Sequence, residues 1–338
     1  MPALTSPKNK KMNIRNSFFI FLSGLLLLSA CSKKAVTADQ NKSVFRVIGY
    51  LPGRDNLMES AERIDYSKIT HLNIAFINPD SSGNLTGTEN LKAVAGLAHA
   101  KNVKIMASIG GGGAPAYYPA FLAGEKKTKL IADLVRLAVE SNLDGIDVDL
   151  EGALIDANYE NFVIDLAAQL RQNNKMITAA IATVYKDQFT DKALAQFDFV
   201  NIMSYDRTGP WNPAKSGPHA PYDMAVEDVD YWSKTRGIAK EKLSLGVPFY
   251  GYGFGGTAPE SISWKAILQQ YPEAAQKDEL NVNGGTIYYN GIPTIRKKTS
   301  LAIEKTGGVM IWQLMQDTTG GNQSLLENMH QVIRSQGK

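Results

Sequence analysis

From Val44 onward the chain alternates between two kinds of segment. Short β-branched or apolar runs close on Gly, Asp or an aromatic residue, at residues 45–50, 71–76, 104–110, 145–151, 176–182, 199–205, 243–249 and 309–314. Short apolar runs bounded by such residues are strand-like. Between them, segments such as 127–141 and 159–173 carry apolar residues at helical spacing, for example Leu130, Leu134, Leu137 and Val139. Strands alternating with helices predict an α/β protein with a parallel sheet. Eight such units in about 290 residues fit a (β/α)8 TIM barrel over residues 44–338. The competing architecture is a doubly wound open sheet. No Gly-rich phosphate loop of the nucleotide type supports it, since the glycine run Gly110 to Gly113 lacks the Lys and the helix context. The seventh connection, residues 251–307, is longer than one helix requires. A small insertion is expected within 255–293, with a helix over 264–276 and a short strand over 286–289.

Composition changes the picture at the N-terminus. Lys8, Lys10, Lys11 and Arg15 precede an apolar run at residues 18–28, and Leu28-Ser29-Ala30-Cys31 follows. Eleven apolar residues are too few for a membrane-spanning helix, which needs about 20. A basic start, a short apolar run and small residues before a cleavage point describe a signal peptide over residues 1–30. The box ending in Cys31, the chain's one cysteine, resembles the bacterial lipoprotein signal. That resemblance implies lipidation of Cys31, a polar tether over 31–43, and a protein exported across the inner membrane and anchored by its lipid, with the outer membrane of a Gram-negative bacterium as the expected site. An ordinary signal peptide is the competing reading, and Met12 is an alternative start. Residues 1–30 hold four of the 36 basic residues and none of the 33 acidic ones, so the remainder carries a formal charge of −1. The apparent basicity belongs to the signal, and nothing points to a nucleic-acid partner.

Candidate chemistry concentrates in Asp144-Gly145-Ile146-Asp147-Val148-Asp149-Leu150-Glu151. Strand side chains alternate between faces, so Asp147, Asp149 and Glu151 share one face and Ile146, Val148 and Leu150 the other. In a barrel the apolar set packs under the helices and the acidic set points inward. Asp144 has the opposite parity and is expected to brace the strand start. Buried carboxylates in a row repel one another and are costly, so stability alone does not produce them. An ion-pair network and a divalent-metal site are the alternatives. The other inward runs offer almost no basic residue, and no histidine or second acidic pair completes a metal site. Repulsion keeps one member protonated near neutral pH, as a general acid requires. Glu151 lies at the C-terminal end of its strand, where barrel active sites sit.

These residues resemble the glycoside hydrolase family 18 chitinases, whose signature Asp-x-x-Asp-x-Asp-x-Glu residues 144–151 match in full. Ser108-Ile109-Gly110-Gly111, Met203-Ser204-Tyr205-Asp206, Trp211 with His219-Ala220-Pro221, the stretch Gly246 to Gly251 and Gly308-Val309-Met310-Ile311-Trp312 are similar to family motifs on later or earlier strands, in the same order. The resemblance implies hydrolysis of a β-1,4-linked N-acetylglucosamine polymer or oligosaccharide by a retaining, substrate-assisted route without metal or organic cofactor. It assigns Glu151 as acid and base, and Asp149 as the group that stabilises the acetamido-derived cation. Asp147 shares a proton with Asp149, Tyr205 orients the acetamido oxygen, and Asp206 tunes the acid and binds sugar. Tyr50, Phe76, Gly111, Met203, Trp211 and Trp312 are implied substrate-binding residues. Trp264 is either an insertion platform or packing, while Trp232 and His71 are expected in the core.

The chain departs from the family pattern at Leu150 and Gly152, where many members carry aromatic residues, and its insertion is short. A shallow, open cleft follows as an expectation. An endo-β-N-acetylglucosaminidase acting on the chitobiose core of N-glycans is the nearest alternative and peptidoglycan a further one. A non-catalytic glycan-binding protein is the alternative of another class, though such proteins usually lack the acid.

Overall fold

A computed structural model describes residues 44–53 and 56–338. The expected signal, the tether and Cys31 lie outside the described residues. In chain order the elements are β1 Arg46–Pro52, α1 Leu57–Glu62, β2 His71–Ala75, α2 Leu91–Ala100, β3 Lys104–Gly110, α3 Gly124–Glu140 and β4 Gly145–Asp149. There follow α4 Tyr159–Gln172, β5 Met176–Ile181, α5 Asp191–Leu194, β6 Phe199–Ile202, α6 Tyr222–Asp230 and β7 Leu243–Pro248. The seventh connection then holds β8 Tyr250–Phe254, β9 Ile262–Ser263, α7 Trp264–Gln270, β10 Glu279–Val282 and β11 Gly285–Tyr288. The chain ends with α8 Ile292–Lys305, β12 Gly308–Trp312 and α9 Leu325–Ser335.

Eight strands close a barrel in the order β1-β12-β7-β6-β5-β4-β3-β2, all neighbours parallel. This is the predicted (β/α)8 architecture and not an open doubly wound sheet. Parity explains the core. Ile146, Val148 and Leu150 join Ile105, Ala107, Ile109, Ile177 and Ala179 in the layer between barrel and helices, all buried. The opposite parity fills the barrel interior, where Ile48, Tyr50, Met106, Phe199 and Met310 pack together. Apolar burial of this kind contributes roughly 1.5–3 kcal/mol per large side chain.

The N-terminal end of the barrel is sealed by stacking. The Arg46 guanidinium lies 4.5 Å over the Phe199 ring, and His71 meets the same ring edge-on at 5.3 Å. Burial, with Lys104 and Arg46 close by, pushes the His71 imidazole down to about 3, so it packs as a neutral ring. Trp232 is fully buried, as expected.

The insertion starts earlier than residue 255. Tyr250-Gly251-Tyr252-Gly253-Phe254 leaves β7 after a single residue and pairs with β9 and β11 in a four-stranded sheet of order β10-β11-β8-β9. Its glycines permit close pairing: a Cβ at Gly251 would lie 2.5 Å from the Tyr288 carbonyl oxygen, and one at Gly253 would lie 2.3 Å from that of Pro259. The helix predicted over 264–276 stops at Gln270, because Pro272 cannot continue it. Trp264 is 1% exposed and donates from Nε1 to the Gln323 carbonyl, which makes it packing rather than a platform.

Candidate active site

Register places the acidic side chains. Asp147 stands level with Ser108 on β3 and Thr178 on β5, and Asp149 stands level with Gly110. Glu151 follows with extended backbone (φ −125°, ψ 150°), so the alternation continues past the strand end. The three carboxylates therefore climb one inner face toward the C-terminal mouth. Asp144 faces away and accepts hydrogen bonds from Ile105 N (2.8 Å) and His99 Nε2 (2.9 Å), bracing β3 against β4.

The lowest carboxylate is saturated. Asp147 is fully buried and accepts from the hydroxyls of Thr178 (2.6 Å), Tyr50 (2.7 Å) and Ser108 (2.8 Å). Burial raises its pKa while these donors pull it back. The Tyr50 hydroxyl accepts in turn from Asn201 Nδ2 at 3.3 Å. Tyr50 is 1% exposed, which corrects its expected role: it holds Asp147 and presents no open face to a sugar. Nothing in the sequence marks Thr178, because a single Thr in a strand carries no signal until the register is known.

The next carboxylate is bare. Asp149 is 3% exposed and its Oδ1 has no hydrogen-bond partner. Burial, then the neighbouring Glu151 and Asp147, push it well above the usual carboxylate range. Glu151, at the mouth, is raised to about 7, first by burial and second by the negative charge of Asp206. A carboxyl half-protonated near pH 7 can both give and take a proton.

The walls come from neighbouring loops. A Cβ on Gly110 would lie 2.2 Å from the Asp149 carbonyl oxygen, and one on Gly111 would lie 2.3 Å from the Phe76 ring. Their positive φ values, 97° and 84°, favour glycine as well. Phe76 stacks on Trp312 (centroids 5.6 Å, 26°), and Tyr50 meets Trp312 edge-on at 5.5 Å. Both Phe76 and Trp312 are partly exposed and form an aromatic floor. Met203 and Tyr205 are each 8% exposed, and the Tyr205 hydroxyl has only the weak acceptor Met310 Sδ at 3.8 Å.

Asp206 sits at φ 62°, and the Tyr250 hydroxyl donates to its Oδ1 at 2.5 Å. His219 spans the Tyr250 carbonyl oxygen (3.2 Å from Nε2) and Asp206 Oδ1 (3.3 Å from Nδ1). Trp211, 61% exposed, rises from the same loop and meets Tyr252 edge-on at 5.4 Å. Tyr250 and Tyr252 were not singled out in the sequence, although their alternation with Gly251 and Gly253 marks a strand with its aromatics on one face.

The model of the family "Glycosyl hydrolases family 18" matches residues 46–317. A family 18 chitinase from the chitin utilization locus of Flavobacterium johnsoniae is 38% identical, with a TM-score of 0.79 over 87% of this chain and 95% of that one. A chitinase from Bacteroides thetaiotaomicron is 30% identical, with a TM-score of 0.74 over 87% and 98%. A chitinase-like effector of Moniliophthora roreri is 28% identical over 77% of this chain and 71% of its own length.

Proposed function

The chain belongs to glycosyl hydrolases family 18, and on that premise we propose that it cleaves the β-1,4 linkages of chitin or chitooligosaccharides with Glu151 as general acid and base. The observation that carries this reading is the ladder of three carboxylates on one face of β4, saturated at Asp147, bare at Asp149 and raised to about 7 at Glu151. Protonated Glu151 gives its proton to the bridging oxygen as the C1–O bond breaks. The 2-acetamido oxygen of the same sugar forms the new bond to C1, leaving an oxazolinium. Asp149, whose Oδ1 has no protein partner, passes its proton to Asp147, accepts from the acetamido N–H and as a carboxylate balances the positive charge. The Tyr205 hydroxyl turns from Met310 to the acetamido oxygen. Glu151, now a carboxylate, takes a proton from the water that opens the ring at C1, and the configuration is retained.

Phe76 and Trp312 form the floor beneath the reacting sugar, Gly111 and Met203 shape its walls, and Trp211 receives the leaving sugar on its exposed face. Mass spectrometry of products from chitin oligomers, a high-mannose glycoprotein and peptidoglycan, run side by side with the parent and Glu151→Gln, tests the proposal. Cleavage of chitin oligomers by the parent alone is expected. Sole activity on the glycoprotein would move the assignment to an endo-β-N-acetylglucosaminidase, and equal turnover by Glu151→Gln would remove the acid role. The membrane anchor at Cys31 is a separate proposal, resting on the Leu28-Ser29-Ala30-Cys31 box. Incorporation of labelled fatty acid in cells, abolished by Cys31→Ala, is its test.

A further inference from the structure

Lys298, on α8, is fully buried, and its partners are a carbonyl and an amide rather than a carboxylate. Its Nζ donates to the Ala220 carbonyl at 2.7 Å and to Asn290 Oδ1 at 2.8 Å. Asn290, at the end of the insertion, donates its own Nδ2 to the same Ala220 carbonyl at 2.9 Å. One carbonyl thus receives two side-chain hydrogen bonds, from residues 70 and 78 positions further along the chain. Ala220 follows His219, which is fully buried between Asp206 and the Tyr250 carbonyl. The loop between Asp206 and Ala220 is pinched shut by Arg207 N donating to the His219 carbonyl at 2.9 Å and by Thr208 Oγ1 donating to that of Gly217 at 2.6 Å. Its base is therefore one unit, gripped from below by Lys298 and Asn290.

We propose that Lys298 is a positioning residue of the active site: with Asn290 it fixes the Ala220 carbonyl, and through His219 it holds the Asp206 carboxylate close to Glu151. This rests on the reading of Glu151 as the acid. A buried primary amine suits the task in its neutral form, because two N–H donors meet two acceptors. An ammonium would bring a third N–H into a buried site. Burial pushes Lys298 down to about 7, against the opposing pull of Asp278 and Asp228, with Arg207 acting in the same direction as burial. Asp206 contributes to raising Glu151, alongside burial. If the loop base is released, Asp206 keeps the Tyr250 hydroxyl but loses its brace through His219, shifts relative to Glu151, and the acid titrates lower.

The test is a direct titration of Glu151 in the full chain, by carboxyl 13C NMR with labelled glutamate, the resonance being identified by Glu151→Gln. Asp206→Asn sets the reference shift. Lys298→Met, similar in length and without donors, is expected to lower the Glu151 value in the same direction, by about half a unit. Lys298→Met combined with Asp206→Asn is expected to match Asp206→Asn alone. A folded Lys298→Met protein with an unchanged Glu151 titration overturns the proposal. Where Lys298→Met does not fold, Asn290→Ala removes half of the clasp, and the same two outcomes decide. The titration needs no turnover. Absence of cleavage by the parent would sink the proposed reaction while leaving this measurement able to decide on Lys298.

Discussion

Asp147 and Asp149 are two residues apart on one strand face, both buried, and they live in opposite circumstances. Around Asp147, three hydroxyls from β1, β3 and β5 converge, so the carboxylate is satisfied by the fold. Around Asp149, one oxygen has no partner and the nearest charges are like charges. A buried polar atom without a hydrogen bond costs about 1–3 kcal/mol. Hydroxyl donors therefore converge on Asp147, and none reaches Asp149 Oδ1. The lower carboxylate is held in place by the fold, and the upper one has its hydrogen-bonding capacity free for a ligand.

The strongest way to break that comparison is Asp149→Asn. Turnover is expected to fall by roughly 10²–10³-fold, the scale of losing one electrostatic stabiliser in a site. The melting temperature should rise, because an unpaired buried acid is removed. A fall in both would place Asp149 in the scaffold with Asp147. Asp147→Asn should reverse the balance. Three hydroxyl donors lose a carboxylate acceptor, and stability should drop by about 1–3 kcal/mol in denaturant unfolding. Removing one donor alone, as in Tyr50→Phe, should cost about 1 kcal/mol. Identical stability to the parent would show that the lower layer is not held by hydroxyls.

The pH dependence sharpens the same contrast. Folding raises Glu151 from 4.5 to about 7 and Asp149 well above 3.8, so between the unfolded and folded values the native state binds more protons than the unfolded one. The stability contributed by Glu151 is then greatest below 4.5 and declines as pH rises toward about 7, and Asp149 acts in the same direction above its own unfolded value. Paired melts of the parent and the Asp149→Asn, Glu151→Gln double variant should show a flatter slope for the variant. The smallest effect belongs to the rim. Trp211→Ala should weaken binding of longer oligomers by about 1 kcal/mol, leaving the shortest cleaved substrate nearly unaffected. An equal loss for both would place the ring at the reacting sugar.

Much of this was legible in the chain. Period-two alternation placed Asp147, Asp149 and Glu151 inward and Asp144 outward, because strand geometry alone decides parity. Eight strand-like runs gave the barrel for the same local reason. What escaped was everything made across strands. Thr178 and Ser108 reach Asp147 only through the register of β3, β4 and β5, and Tyr50 looks like a sugar platform until its hydroxyl is seen turned to Asp147. The start of the insertion is hidden in the sequence because Tyr250 to Phe254 continues the apolar pattern of β7 after one residue. Lys298 gave no signal, since a lysine in a helical stretch is usually solvated.

Gly112 sits bare beside the acid. A single methyl group there would come within 3.3 Å of Glu151 Oε1, so the carboxyl would have to give by a few tenths of an ångström with every acidic residue left in place. A side chain at this position therefore bears on the placement of the acid from outside the octapeptide that carries it. For sorting sequences into cutters and holders, this glycine belongs in the inspection alongside the glutamate.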